Sequence, residues 1–182
     1  ALRPQGIMNY QITLNGKDVA LATEVGVRRN QSNIYWGSKS KKASARSDED
    51  IHIAGFAGEV AFAWITEHVA PYSCPIDLED THNIEDTRIG DVTVDVKTFS
   101  WDRTNLLVPA HKRDKACQIY VLMTGKLPTF TMRGWISSDE LFAEAPRQFP
   151  AKIMNHVIPQ ERLRDPKELL ESTPAQVRLL IE

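Results

Sequence analysis

Four residues carry the chemistry open to this sequence: Asp86, Asp95 and Lys97, set in an alternating apolar stretch, and Glu59, in an apolar run before them. In Asp91-Val-Thr-Val-Asp-Val-Lys97, a strand turns Val92, Val94 and Val96 to one face and Thr93, Asp95 and Lys97 to the other. The valine face is the core face. Asp95 and Lys97 then stand side by side on the opposite face, about 7 Å apart along the strand. Gly90-Asp91 fits a two-residue hairpin loop with glycine first, the type II′ preference. That turn pairs Ile89 with Val92, Arg88 with Thr93, Thr87 with Val94, and Asp86 with Asp95. Two carboxylates directly opposed repel each other in a bare sheet. A divalent cation between them removes the repulsion, and hard oxygen donors select Mg²⁺ or Mn²⁺ over zinc.

These residues need a hairpin and a helix to hold them. Residues 86–99 read as the hairpin. Residues 51–67 read as a buried helix, with Ile51, Ile53, Phe56, Val60, Phe62, Trp64 and Ile65 spread around it. Glu59 has Gly55, Phe56, Phe62 and Ala63 as its helical neighbours, so its carboxylate is desolvated unless paired or metal-bound. The plain alternative is an exposed helix edge or a salt bridge to Lys97. Gly55 and Gly58 each cost helix stability, about 1 kcal/mol, and make sense where another backbone comes close.

Other elements follow from periodicity and caps. Residues 17–30 suit a helix with Val19, Ala22 and Val25 on one side and Arg28 and Arg29 near its C-terminal end. Residues 36–50 and 71–85 read as loops. Leu106-Leu107-Val108 forms a short strand ended by Pro109, Gln118 to Met123 a central strand, and Thr129 to Ile136 another. Ser137-Ser-Asp-Glu140 is a capping box opening a helix. Asp165-Pro166 and Thr173-Pro174 open two short C-terminal helices. The class is α/β or α+β with a mixed central sheet flanked by helices.

With 182 residues, 42% hydrophobic and 25% charged, the chain suits one globular domain. No apolar run reaches the length of about 18 residues that a membrane span needs, and the first residues form no apolar signal core, so a cytoplasmic location is expected. Cys74 and Cys117 lie far apart in no CxxC pattern and are expected to stay reduced. Net charge is −2, but charge is unevenly placed. Six bases and no acid lie between Val25 and Ser47, twelve acids and one base from Asp48 to Val96, and five bases against two acids from Lys97 to Lys115. An acidic centre between basic flanks suits a metal site acting on a phosphate backbone; solvated surface charge is the plain alternative. Arg28, Arg29, Lys41, Lys42, Arg103, Lys112 and Arg113 are the nucleic-acid-binding candidates.

His52, His68, His82, His111 and His156 are scattered without zinc spacing and read as surface or packing residues. Trp36 and Trp101 border basic segments, where an aromatic ring can stack on a base or simply pack. No Walker loop, dinucleotide loop or G-x-S-x-G elbow is present.

Gly55-Phe-Ala-Gly-Glu59-Val-Ala, the acid Asp86, the hairpin and Asp95-Val-Lys97-Thr, in that order, resemble the PD-(D/E)XK nuclease superfamily, and among its members small phage-type nucleases. The likeness continues weakly through Asn105-Leu-Leu-Val-Pro, Gln118-Ile-Tyr-Val-Leu-Met and Arg133-Gly-Trp-Ile-Ser. It covers about residues 50–142. It implies a restriction-endonuclease-like αβββαβ core over residues 51–145, with 1–50 as an N-terminal helix and basic loop, and 146–182 as a helical extension. It also implies that Asp86, Asp95 and the backbone carbonyl of Val96 bind Mg²⁺, and that Glu59 binds it directly, through water, or holds a second ion. Lys97 would then orient or deprotonate a water or stabilise the pentavalent phosphate, with Thr98 adding a hydrogen bond at the rim. Asp77, Asp80 and Asp91 compete with Asp86 for the first ligand position. Glu85 precedes Asp86 where the pattern has proline, and Gln118 stands where an acid often occurs.

The expected function is metal-dependent hydrolysis of phosphodiester bonds, in DNA before RNA. A non-catalytic nucleic-acid-binding module and an interaction protein are the other readings. Cutting both strands would call for a homodimer.

Overall fold

The computed structural model describes residues 10–35, 46–66, 85–150 and 152–181. After the short strand β1 (Gln11–Thr13), the chain forms α1 (Gly16–Tyr35) and α2 (Asp48–Thr66). Both helices start earlier than periodicity predicts, behind polar N-terminal caps, and α1 also runs on to Tyr35. The Asn15 side chain accepts the Lys17 and Asp18 N–H groups, 2.8 and 3.1 Å away. The Ser47 hydroxyl accepts the Asp50 N–H at 3.0 Å, and Asp48, Glu49 and Asp50 then sit in the first turn, where the helix dipole favours acids. Residues 48–50, expected in a loop, are therefore helical.

The helices cross closely at Gly26. A Cβ there would lie 2.5 Å from the Ile53 backbone. Gly58 plays the corresponding part between α2 and the sheet, where a Cβ would overlap the Thr98 side chain. Gly55 has nothing within 4 Å, so close approach explains Gly58 and not Gly55.

The remaining strands are β2 (Thr87–Ile89), β3 (Val92–Phe99), β4 (Leu106–Pro109), β5 (Ile119–Lys126), β6 (Thr129–Ser137), β7 (Arg147–Gln148) and β8 (Met154–Ile158). Short helices α3 (Ser138–Ala143), α4 (Pro166–Leu170) and α5 (Pro174–Leu179) begin at the expected caps, Ser137, Asp165 and Thr173. A mixed five-stranded sheet has the order β1-β6-β5-β3-β2, with only β3 and β5 parallel. A second, antiparallel sheet has the order β4-β8-β7. Strands β7 and β8 lie in the C-terminal stretch for which helices alone were expected. The fold is thus α+β, a mixed sheet flanked by helices.

The large sheet has two dressed faces. Val92, Val94, Val96, Ile119, Val121 and Met123 pack with Phe56, Val60 and Phe62 of α2 and Ala22 and Val25 of α1. The other face, with Tyr120, Leu122 and Ile136, packs against Leu106, Val108 and Ile158 of the second sheet. Gln118 fastens two strands together. Its side-chain oxygen accepts the Thr93 N–H at 3.1 Å, while the Thr93 hydroxyl accepts the Gln118 N–H at 2.9 Å. This reciprocal pair pins the start of β5 to β3. No helix among the described residues is long and apolar enough to cross a membrane.

Candidate active site

The hairpin forms in the expected register: Ile89 pairs with Val92, Arg88 with Thr93, and Thr87 with Val94. Gly90 has φ +62°, as the first central position of a type II′ turn requires. The ladder ends one residue before Asp86 would join it. The Asp86 N–H donates to the Val94 carbonyl at 2.9 Å, and its carboxylate accepts the Val96 N–H at 2.7 Å. Asp86 therefore brackets Asp95 along the edge of β3, rather than facing it across the sheet. The β3 edge beyond Val94 has no strand partner on that side among the described residues. Its first free N–H is capped by a carboxylate instead.

Asp95 points to the second face, beside its register partner Tyr120, and is only 1% exposed. A buried carboxylate persists as an ion only when paired. Lys97 contacts one of its oxygens, and Lys112 lies 3.1 Å from the other. Burial pushes the Asp95 carboxyl up, but these two ammonium groups outweigh it and hold the group below its ordinary value. Asp86 is raised, first by burial and then by the charge of Asp95. Lys97 is disfavoured as a cation by burial, yet Asp95 and Asp86 together keep it protonated well above the usual range.

Glu59 comes from α2, on the other side of the sheet edge. It is 4% exposed, and Arg29 of α1 grips both of its oxygens, at 2.9 and 3.3 Å. Such a two-pronged pair is among the stronger charge-assisted contacts. The Arg29 guanidinium also lies 4.9 Å from the centre of the Phe56 ring. Burial pushes the Glu59 carboxyl up to about 8, with the charge of Asp86 adding to the rise and Arg29 and Lys97 opposing it. Glu59 thus senses both Asp86 and Lys97, so all four expected residues share one electrostatic neighbourhood.

They do not form a finished cage. Among the described residues, no three His, Cys, Asp or Glu side chains gather at the spacing to ligate one ion. Asp86 and Asp95, two hard oxygen donors side by side, fit a divalent cation. Glu59 is turned to Arg29. Thr98, expected at the rim, packs under α2 against Gly58, with its hydroxyl buried and unpartnered.

Among the rival ligands, Asp91 lies on the exposed turn, paired with Arg178. Asp77 and Asp80 are outside the described residues, as are Lys41, Lys42, His68, His82 and Trp36. Of the nucleic-acid-binding candidates, Arg103 and Arg113 are exposed. Arg28 is on the surface of α1, paired with Glu24. Arg29 and Lys112 are turned inward as the partners of Glu59 and Asp95, so neither is arranged as a surface contact for phosphate. Composition marked both as basic; only the tertiary fold shows which acid each one meets. Trp101 is 72% exposed and lines a cleft with Arg46 and Lys126, a setting for stacking rather than core packing. His156 is buried, its Nδ1 2.8 Å from the Glu144 carbonyl, and His52 lies 2.9 Å from the Asn33 amide. No family model, curated protein or solved structure matches the chain.

Proposed function

We propose that the protein is a metal-dependent nuclease that hydrolyses phosphodiester bonds in DNA, built on a restriction-endonuclease-like core of the PD-(D/E)XK type. The observation that carries this reading is the pair of carboxylates, Asp95 buried and Asp86 half-buried beside it, at an open strand edge with a lysine on the same strand. Burying such a pair costs free energy that packing alone does not require. Support also comes from the order of the parts: Glu59 on a helix, then Asp86, Asp95 and Lys97 on the hairpin that follows.

A bound Mg²⁺ or Mn²⁺ would supply Lewis acidity and a more acidic water. Asp86, Asp95 and the carbonyl of Val96 would hold it, with Glu59 joining directly or through water once released from Arg29. Lys97 carries its proton in this arrangement. With the ion on Asp86 and Asp95 it would orient or deprotonate the attacking water, or stabilise charge on an oxygen of the scissile phosphate. The exposed Arg103, Arg113 and Trp101 border the site's strand and would hold backbone and bases.

One observation favours a second reading, a nucleic-acid-binding module without catalysis. Lys97, Lys112 and Arg29 already compensate the buried carboxylates without any metal. One assay separates the two: plasmid and single-stranded DNA incubated with Mg²⁺, with Mn²⁺, or with EDTA. The nuclease reading expects cleavage that EDTA stops. DNA binding with no cleavage in any metal would favour the binding module.

A further inference from the structure

Lys112 stands apart from its neighbours. It belongs to the 3-10 turn Ala110–Lys115, which follows β4 of the second sheet. His111, Arg113, Asp114 and Lys115 are exposed there, and Lys112 alone turns inward, reaching Asp95. Asp95 consequently holds two ammonium groups, one on each oxygen. One would suffice to neutralise it.

The two lysines differ in how they are held. Lys97 is on β3, inside a ladder continuous with β5. Lys112 approaches from a short surface turn and keeps a third of its side chain in contact with solvent. A cation entering beside Asp86 and Asp95 must displace an ammonium from an Asp95 oxygen, and Lys112, on a surface turn and 32% exposed against 22% for Lys97, is the freer of the two to leave. The same turn carries Arg113 and Lys115, exposed where a phosphate chain would pass on the nuclease reading.

Resting on the nuclease reading above, we propose that Lys112 is a displaceable cation of the active site. It holds the Asp95 oxygen that a divalent ion takes, and it moves to a non-bridging oxygen of the substrate phosphate when that ion binds. In the absence of metal it keeps Asp95 ionised and in place. With metal and substrate present it becomes a catalytic residue. The second sheet thereby has a direct role, since it carries the turn that delivers Lys112.

Calorimetry with Mn²⁺ alone, without DNA, tests the competition. Lys112→Met keeps the aliphatic stem and removes the charge, while Lys97 still compensates Asp95. It should bind Mn²⁺ roughly tenfold more tightly than the wild type, within the range usual for coupled ligands. Lys112→Arg retains a competing cation and should bind Mn²⁺ about as the wild type does. At saturating Mn²⁺, kcat for DNA cleavage by Lys112→Met should fall on the order of 100-fold, as on loss of one transition-state donor. A purely structural lysine would lower thermal stability and leave metal affinity unchanged or weaker, and that result overturns the proposal. An unchanged kcat overturns it as well. A wild type that binds Mn²⁺ but cuts no DNA removes the nuclease reading, and the variant's Mn²⁺ affinity then still decides the competition at Asp95. A wild type that cuts, alongside an indistinguishable Lys112→Met, removes the role of Lys112 alone.

Discussion

Asp95 is compensated twice, from a strand and from a turn, and this redundancy separates folding from activity at Lys97. Lys97→Ala should leave the fold intact, because Lys112 still meets the buried carboxylate. On the nuclease reading cleavage should drop by at least about 100-fold, as on loss of one group that orients the water or stabilises the transition state. Thermal unfolding and a plasmid assay on the same preparation check both halves, and retained cleavage would refute the role given to Lys97. Glu59 sets a pH dependence of the metal-free protein. The folded side chain keeps its proton up to about 8, whereas an ordinary carboxyl releases it near 4.5. Between those values the folded state holds more protons, so its stability is full at the acid end and falls as pH rises. Urea midpoints measured in EDTA should decline across that window, and Glu59→Gln should flatten the decline. An equal slope in the variant would assign the titration to another group. At this scale the acids and Lys97 were legible, because the two-residue period of a strand and the glycine-first turn fix register. Their partners were not: Arg29 and Lys112 lie 30 and 17 residues from the carboxylates they meet, and no local period links them.

Among the elements, α2 is held in place by what its glycines allow. Gly26 of α1 and Gly58 of α2 leave room for Ile53 and Thr98, while Gly55 borders open space. Gly58→Ala should destabilise by about 1–3 kcal/mol, the usual cost of overpacking, with Gly26→Ala no milder because it meets backbone. Gly55→Ala should stabilise by up to about 1 kcal/mol, the difference in helix propensity. Denaturant melts of the three variants give the ranking, and a stabilising Gly58→Ala would refute the close contact. The hairpin, the central strand and three capped helices could be read from sequence, because turn type, alternation and capping boxes are local signals. Strand β8 could not. Its sequence, Met-Asn-His-Val-Ile, buries Asn155 and His156 beside Val157, so it shows no polar alternation. Only its pairing with β4 and β7 makes it a strand.

Across the molecule, α2 and the second sheet close on opposite faces of one five-stranded sheet; the turn after β4 sends Lys112 to Asp95 of β3, and Glu59 of α2, held by Arg29, feels the charges of Asp86 and Lys97. Two layers that share no sequence neighbourhood thus converge on one point. That convergence was beyond reach from the chain alone, although the class of architecture was not.

Glu59, Asp86 and Asp95 stand here against Arg29, Lys97 and Lys112, so the formal charges cancel once Glu59 gives up its proton, above about 8. A balanced site exerts little pull on either an isolated ion or an isolated polyanion. On the nuclease reading, admission of a divalent ion would tip the sum positive and attract DNA, and bound DNA would in turn deepen the hold on the ion. The two partners should therefore recruit each other with equal strength, as reciprocity demands. DNA affinity measured with and without Ca²⁺, a hard oxygen-seeking cation, should rise with the ion by the same factor by which DNA raises Ca²⁺ affinity. Independent affinities would mean that the charges do not converge in solution.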